Sequence, residues 1–118
     1  MLRRPDQTDS PAVSADETAI PSLDEPFVLA SRPLGVRFYQ GRESFFHSYA
    51  LLQSVRLQSE RLILSFATAE IIITGRALHA LYVHLAEQRI ACIVEQGERY
   101  AKASDAVTFI RRIEETPK

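Results

Sequence analysis

Residues 61–75, RLILSFATAEIIITG, contain the clearest structural signal in the chain. Leu62, Leu64 and Phe66 alternate with other side chains, and the isoleucines that follow alternate in the same way. Side chains along a strand point in turn to the two faces of a sheet. The segment therefore predicts an antiparallel hairpin with one apolar face directed to a core.

The hairpin is predicted to turn through a four-residue loop at residues 67–70. This segment contains neither Asn-Gly nor glycine, the chemistry that two-residue primed turns require. A loop of this length sets Phe66 opposite Ile71 and Leu64 opposite Ile73. The other face of the hairpin is also partly apolar, so it is a candidate surface for binding a partner.

An amphipathic helix is predicted at residues 76–89, directly after the hairpin. Four apolar residues recur there at the i, i+3, i+4 and i+7 spacing of one buried stripe, namely Leu78, Leu81, Tyr82 and Leu85. The hairpin is the expected partner, because it is adjacent in sequence and offers a complementary apolar face.

Four further segments complete the expected sheet. Residues 36–40 and 90–95 are predicted strands. Residues 44–59 fit a strand, a corner and a second strand, although a helix also fits their periodicity. Residues 106–115 fit an edge strand or a capped helix, and their β-branched run favours the strand. We predict an α+β fold, with a small, mostly antiparallel sheet and one main helix packed on one face.

The composition divides the chain near residue 26. Residues 1–26 hold four of the six prolines, and their two arginines and six acidic residues give a net charge of −4. Such a segment cannot bury enough apolar surface to offset its ordering entropy, so it is predicted to be a disordered leader. Residues 27–115 form one predicted domain, with residues 116–118 as a C-terminal tail.

Motifs for catalysis are absent from the sequence. The one cysteine, Cys92, lies in an apolar run that is typical of a core position. The histidines His47, His79 and His84 lack the spacing of a metal site, and no phosphate-binding glycine motif occurs. We therefore expect no enzyme activity, no catalytic or metal-binding residue and no cofactor.

The overall composition fits a globular protein. The chain has 118 residues, of which 46% are hydrophobic and 25% charged, and this balance excludes a collagen-like or fully disordered chain. It contains no apolar run of membrane-spanning length and no secretory signal pattern. We expect a cytoplasmic protein without a membrane partner.

A basic and aromatic segment, residues 37–49, suggests one binding function. It contains five of the ten aromatic residues, interleaved with arginines. Exposed aromatic rings can stack on bases while arginines hold phosphates, so RNA or single-stranded DNA binding is the alternative prediction. The candidate nucleic-acid or anion contacts are Arg37, Phe38, Arg42, Phe46 and, at the predicted helix start, Arg76.

The leading prediction is a small, non-enzymatic protein-interaction module that self-associates. One helix can cover only one face of the sheet, so the opposite face of the hairpin would remain open. That face offers Ile63 and Ile72 as a candidate self-association surface. Exposed apolar patches commonly mark interfaces, and a two-fold homodimer is the commonest closed assembly.

Overall fold

The fold was analysed in a computed structural model that describes residues 25–97 and 107–118. The predicted leader at residues 1–26 falls almost entirely outside the described residues. The described part contains eight strands, one α-helix and a short 3-10 helix at Tyr49–Leu51. The strands and α-helix are β1 Phe27–Leu29, β2 Gly35–Gln40, β3 Glu43–Ser48, β4 Leu52–Gln58, β5 Arg61–Phe66, β6 Ala69–Arg76, α1 His79–Ala86, β7 Ile90–Val94 and β8 Phe109–Pro117.

The described strands form two four-stranded sheets. Sheet A has the order β1-β7-β2-β3, and sheet B has the order β4-β5-β6-β8. All neighbouring strands are antiparallel except β2 and β7, which are parallel. Among the described residues, the prediction of a sheet-rich fold with one α-helix is confirmed, but these residues form two sheets rather than the single predicted sheet. The 3-10 helix at Tyr49–Leu51 redirects the chain between β3 and β4 and so separates the two sheets.

The β5–β6 hairpin is confirmed, with a different register from the predicted one. Leu64 pairs with Ile71 and Leu62 with Ile73, so Ala67 and Thr68 alone connect the strands. A shift of two residues leaves every side chain on its predicted face. The short connection is held by neighbouring segments rather than by glycine: the Ala67 amide donates to the Leu51 carbonyl, and Thr68 accepts from the amide of Lys118.

The helix is shorter than predicted at both ends. Strand β6 continues through Gly75 to Arg76, and Ala77 then adopts a positive φ of 51°, so α1 begins only at His79. Glycine is required at position 75, because a Cβ atom there would collide with the Phe109 carbonyl oxygen of β8. At the other end Gln88 has a φ of 58° and closes a Schellman-type turn.

Two segments whose secondary structure the sequence left undecided form strands. Residues 44–59 form β3, the 3-10 helix and β4, as the favoured alternative predicted. The second ambiguous segment forms β8, although residue 106 lies outside the described part. Strand β8 extends to Pro117, so two residues assigned to a C-terminal tail belong to sheet B.

One hydrophobic core lies between the inner faces of the sheets. Leu62, Leu64 and Phe66 of sheet B and Phe38 of sheet A are all 0% exposed. The helix adds the predicted stripe, with Leu78, Leu81 and Leu85 buried and Tyr82 partly buried against the cluster. It packs against β4 and β7, and Phe27 of β1 contacts the His84 ring, so α1 bridges an edge of each sheet.

Side chains join the two sheets along β8. The Gln40 amide donates to the Ile113 carbonyl at 2.6 Å, and the Glu95 carboxylate accepts from the Ile113 amide at 2.8 Å. The buried Gln96 makes a similar pair of bonds to Ile110 through its own amide and its side-chain oxygen. These bonds satisfy backbone groups of β8 that face away from β6.

Tyr49 forms a second connection inside the core. Its hydroxyl donates to the carbonyl of Ile90 at 2.7 Å and accepts from the amide of the same residue at 3.1 Å. Burial raises the pKa of the Tyr49 phenol to about 12, although the hydrogen bond to Ile90 opposes the shift. The neutral phenol therefore fastens the turn after β3 to the start of β7.

Candidate interaction surfaces

The outer face of sheet B is a regular grid of side chains. Ile63 and Ile72 are direct cross-strand partners at its centre, so the structure places the two predicted association residues side by side. Both are partly buried by their neighbours rather than fully exposed. In this row the apolar centre is two residues wide, because the β4 and β8 residues in register with the isoleucines are charged.

Charged residues flank the isoleucines in a defined order. Arg56 of β4 pairs with Ile63, and Glu114 of β8 pairs with Ile72, so one row across the sheet reads Arg56, Ile63, Ile72, Glu114. Arg56 and Glu114 are both exposed. The row is apolar in the middle, positive at the β4 edge and negative at the β8 edge.

The basic-aromatic segment is divided between the two faces of sheet A. Phe38 is 0% exposed and stacks on Phe45 at 5.1 Å between ring centroids, so it belongs to the core and has no free ring face for a base. Arg37 and Phe46 are cross-strand partners on the outer face, and the Phe46 side chain is 50% exposed. Arg42 is exposed in the β2–β3 turn.

Arg76 lies apart from the other candidate anion contacts. It is the last residue of β6 in sheet B, and its guanidinium sits 4.9 Å from the centroid of the Phe109 ring. The predicted anion site required Arg76 just inside a helix. Because α1 begins three residues later, Arg76 is separated from the helix N-terminus.

A further surface was not predicted from the sequence. Leu34, just before β2, is 85% exposed, and Leu51 in the 3-10 helix is 41% exposed. The two are close because the amide of Tyr49 donates to the Leu34 carbonyl. Phe46 adjoins them, since its ring lies over Gly35. The sequence signal for an exposed Leu34 is the triplet Pro33-Leu34-Gly35, in which an apolar residue lies between two residues that are typical of loops.

The described residues offer little for catalysis. His47 forms a 2.7 Å hydrogen bond with Glu115, but its ring stacks on Phe66 at 4.7 Å and so connects the sheets. Burial raises the pKa of the Cys92 thiol to about 11, despite the opposing effect of Arg37. A thiol with this pKa is a poor nucleophile near neutrality. In residues 25–97 and 107–118, no three His, Cys, Asp or Glu side chains are grouped to hold a metal ion.

A shallow groove runs between β4 and α1. It has a volume of about 250 Å³ and is bordered by residues of both elements, among them Ser54, Val55, Tyr82 and Leu85. The lining has no carboxylate, cation or histidine, and Tyr82 is its one titratable side chain. We therefore place the candidate function on the outer surfaces rather than in a pocket.

Comparison of the chain with protein-family models, curated protein sequences and solved structures found no match. The surfaces themselves are therefore the basis for a functional proposal.

Proposed function

We propose that this chain is a non-enzymatic interaction module that self-associates through the outer face of sheet B. The observation that carries the proposal is the row Arg56, Ile63, Ile72, Glu114. Its apolar centre and its oppositely charged ends make it complementary to a second copy of itself. Isologous two-fold dimers need this kind of self-complementary surface.

The charge order selects one dimer geometry. A two-fold axis that lies between the facing sheets, parallel to the strands and midway between β5 and β6, sets Ile63 against Ile72 of the second copy. The same axis sets Arg56 against Glu114 of that copy. An in-plane axis perpendicular to the strands would instead oppose Arg56 to Arg56 and Glu114 to Glu114, and like charges disfavour that arrangement.

The two neighbouring rows are compatible with the first axis. One row reads Ser54, Ser65, Glu70, Thr116 and the other reads Gln58, Arg61, Thr74, Arg112. The axis sets Ser65 opposite Glu70 and Gln58 opposite Arg112, so no two like charges lie directly opposite each other. The Lys118 ammonium lies 2.8 Å from the Ser65 hydroxyl and would face Glu70 of the second copy.

Substitution of Ile72 tests the proposal. Ile72→Glu places a carboxylate against the apolar centre of the second copy, so a wild-type dimer is expected to become a monomer in analytical ultracentrifugation. Circular dichroism establishes that the variant is folded. Arg56→Glu, at an exposed position, is the second variant, and Ser44→Glu on the outer face of sheet A is the matched control. A wild-type chain that remains monomeric at high concentration refutes self-association.

Nucleic-acid binding is a second candidate, supported by the half-exposed Phe46 beside Arg37 on sheet A. If this surface binds single strands, Phe46→Ala is expected to weaken oligonucleotide affinity by about 1–3 kcal/mol. The double change Arg37→Ala and Arg42→Ala is expected to reduce the log–log salt slope by roughly 0.7–0.9 for each phosphate that is no longer neutralised. Fluorescence anisotropy measures both effects. Absence of wild-type binding near physiological salt excludes this function.

A further inference from the structure

The connections at one end of the two sheets form a single contiguous surface, which we term the apolar end. It comprises residues 30–34, 49–51, 67–68, 87–89 and 117–118. Backbone hydrogen bonds hold these segments together: Ala30 to Arg89, Tyr49 to Leu34, Ala67 to Leu51 and Lys118 to Thr68. The end is therefore a fixed part of the fold rather than a set of independent loops.

Apolar side chains project from the apolar end. Leu34 and Leu51 are 85% and 41% exposed, and Ala50 and Ala67 beside them are also exposed. An exposed leucine at one loop is ordinary, but two leucines and two alanines on adjacent, hydrogen-bonded segments form a patch. At 85% exposure the Leu34 side chain protrudes from the surface and is not part of a groove.

The charge around this patch is predominantly positive. Arg32, Arg89 and Lys118 are exposed on the same segments, and Glu87 is the single acidic side chain among them. The net charge of these five segments is therefore +2. By contrast, the outer face of sheet B presents both signs at its two edges.

We propose that the apolar end docks on an anionic lipid surface. Protruding leucines would enter the boundary between headgroups and acyl chains while Arg32 and Arg89 contact lipid phosphates and carboxylates. Anionic lipid is the occupant that complements this surface, because exposed leucines lie here beside an excess of positive charge. It fits better than a nucleic acid, because aliphatic side chains offer no ring for base stacking.

Surface docking requires no membrane-spanning segment. No helix among the described residues is long and apolar enough to cross a membrane. The expectation that the chain has no membrane partner rested on the lack of such a segment, and it does not extend to docking by loops. The proposal thus replaces that expectation with a peripheral contact.

The proposal is independent of self-association, but the two are geometrically compatible. A two-fold axis parallel to the strands of sheet B keeps the strand ends of both copies at the same end of the dimer. Both apolar ends would then face one plane and could bind it together, which raises the overall avidity of the dimer for the lipid surface.

Vesicle sedimentation with the full chain tests the proposal. The wild type is expected to sediment with phosphatidylcholine vesicles that contain about 30% phosphatidylserine, and much less with pure phosphatidylcholine. Leu34→Glu is expected to reduce binding about tenfold or more, since it removes a leucine that would enter the lipid surface and adds a charge that anionic headgroups repel. Arg89→Gln is expected to reduce it about fivefold.

Val107→Glu is the matched control. Val107 is 52% exposed and precedes β8, at the opposite end of sheet B from Lys118, and the substitution adds the same charge as Leu34→Glu. Vesicle binding by this variant is expected to stay close to wild type. The proposal is overturned if the wild type does not bind anionic vesicles, or if Leu34→Glu and Val107→Glu behave alike. It is also overturned if Leu34→Glu disrupts only the dimer or only oligonucleotide binding.

Discussion

The two sheets are encoded in different ways. In sheet B, β4, β5 and β6 follow one another along the chain through two short turns, and only β8 arrives from a distance. In sheet A, β7 lies between β1 and β2, although β1 and β2 are consecutive in sequence. Sheet B is thus built mostly from strands that are neighbours in sequence. Sheet A, by contrast, includes β7, which follows the helix in the sequence.

The sheets also differ in the residues on their outer faces. In sheet B the row Arg56, Ile63, Ile72, Glu114 combines three strands that are consecutive in sequence with the distant strand β8. In sheet A the outer row reads Phe46, Arg37, Cys92, Val28, and only Phe46 and Arg37 come from strands that pair as a hairpin. Among the described strands, a row with opposite charges at its two ends therefore lies in sheet B.

The largest expected effect tests whether the two sheets share one core. Phe66→Ala in sheet B and Phe38→Ala in sheet A are each expected to lower the unfolding free energy by about 3–5 kcal/mol. Both rings are fully buried and contact each other edge to face at 6.5 Å. Urea denaturation measures the loss, and Phe46→Ala on the outer face is the control. A much smaller loss for Phe38→Ala would show that sheet A is dispensable to the core.

The helix provides the next test, because it bridges the edges of the two sheets. Leu81→Ala is expected to destabilise the fold by about 2–5 kcal/mol, since Leu81 is 0% exposed. His84→Ala is expected to cost much less, because its side chain is 28% exposed and lies away from the buried stripe. Equal urea midpoints for Leu81→Ala and the wild type would contradict this packing.

The local character of sheet B determined what the sequence could predict. Alternation at Leu62, Leu64 and Phe66 indicated the hairpin and its inner face, and the paired placement of Ile63 and Ile72 followed from it. The exact register did not follow, because Ala67 and Thr68 are held by Leu51 and Lys118, which are distant in sequence.

The charge row and the apolar end required long-range information. Arg56 and Glu114 become neighbours of the isoleucines only through the pairing of β4 and β8. Phe38 was assigned to a surface because aromatic density does not say which face a side chain takes. The exposure of Leu34 depends on how its loop meets the 3-10 helix, and no periodic pattern indicates how those two segments meet.

A smaller effect is expected where side chains join the sheets. Gln40→Leu removes the donor to the Ile113 carbonyl and is expected to cost about 1–3 kcal/mol, because that carbonyl loses a partner in a partly buried position. Thermal or urea denaturation provides the measurement. Gln53→Leu, at an exposed position in β4, is the control. Indistinguishable stability of the two variants would mean that the connection between the sheets contributes nothing.

The smallest effect is a change in alkaline stability. The pKa of the Tyr49 phenol is raised from 10.0 to about 12 in the folded protein, mainly by burial. The unfolded chain loses this proton first as the pH rises from 10 to 12, so its deprotonation favours unfolding in that window. Tyr49→Phe is expected to lower stability near neutral pH and to flatten the decline above about pH 10. An unchanged alkaline slope would contradict the buried, neutral phenol.

Sedimentation equilibrium on a charge-swap series tests the central claim, self-association through the outer face of sheet B. The wild type is expected to be a concentration-dependent dimer, and Arg56→Glu is expected to weaken it about tenfold or more. The double variant Arg56→Glu with Glu114→Arg restores opposite charges across the proposed axis, so it is expected to recover dimerisation. Arg42→Glu, in the β2–β3 turn of sheet A, is expected to behave as wild type. A monomeric wild type, or a double variant that dimerises no better than Arg56→Glu alone, would contradict the account.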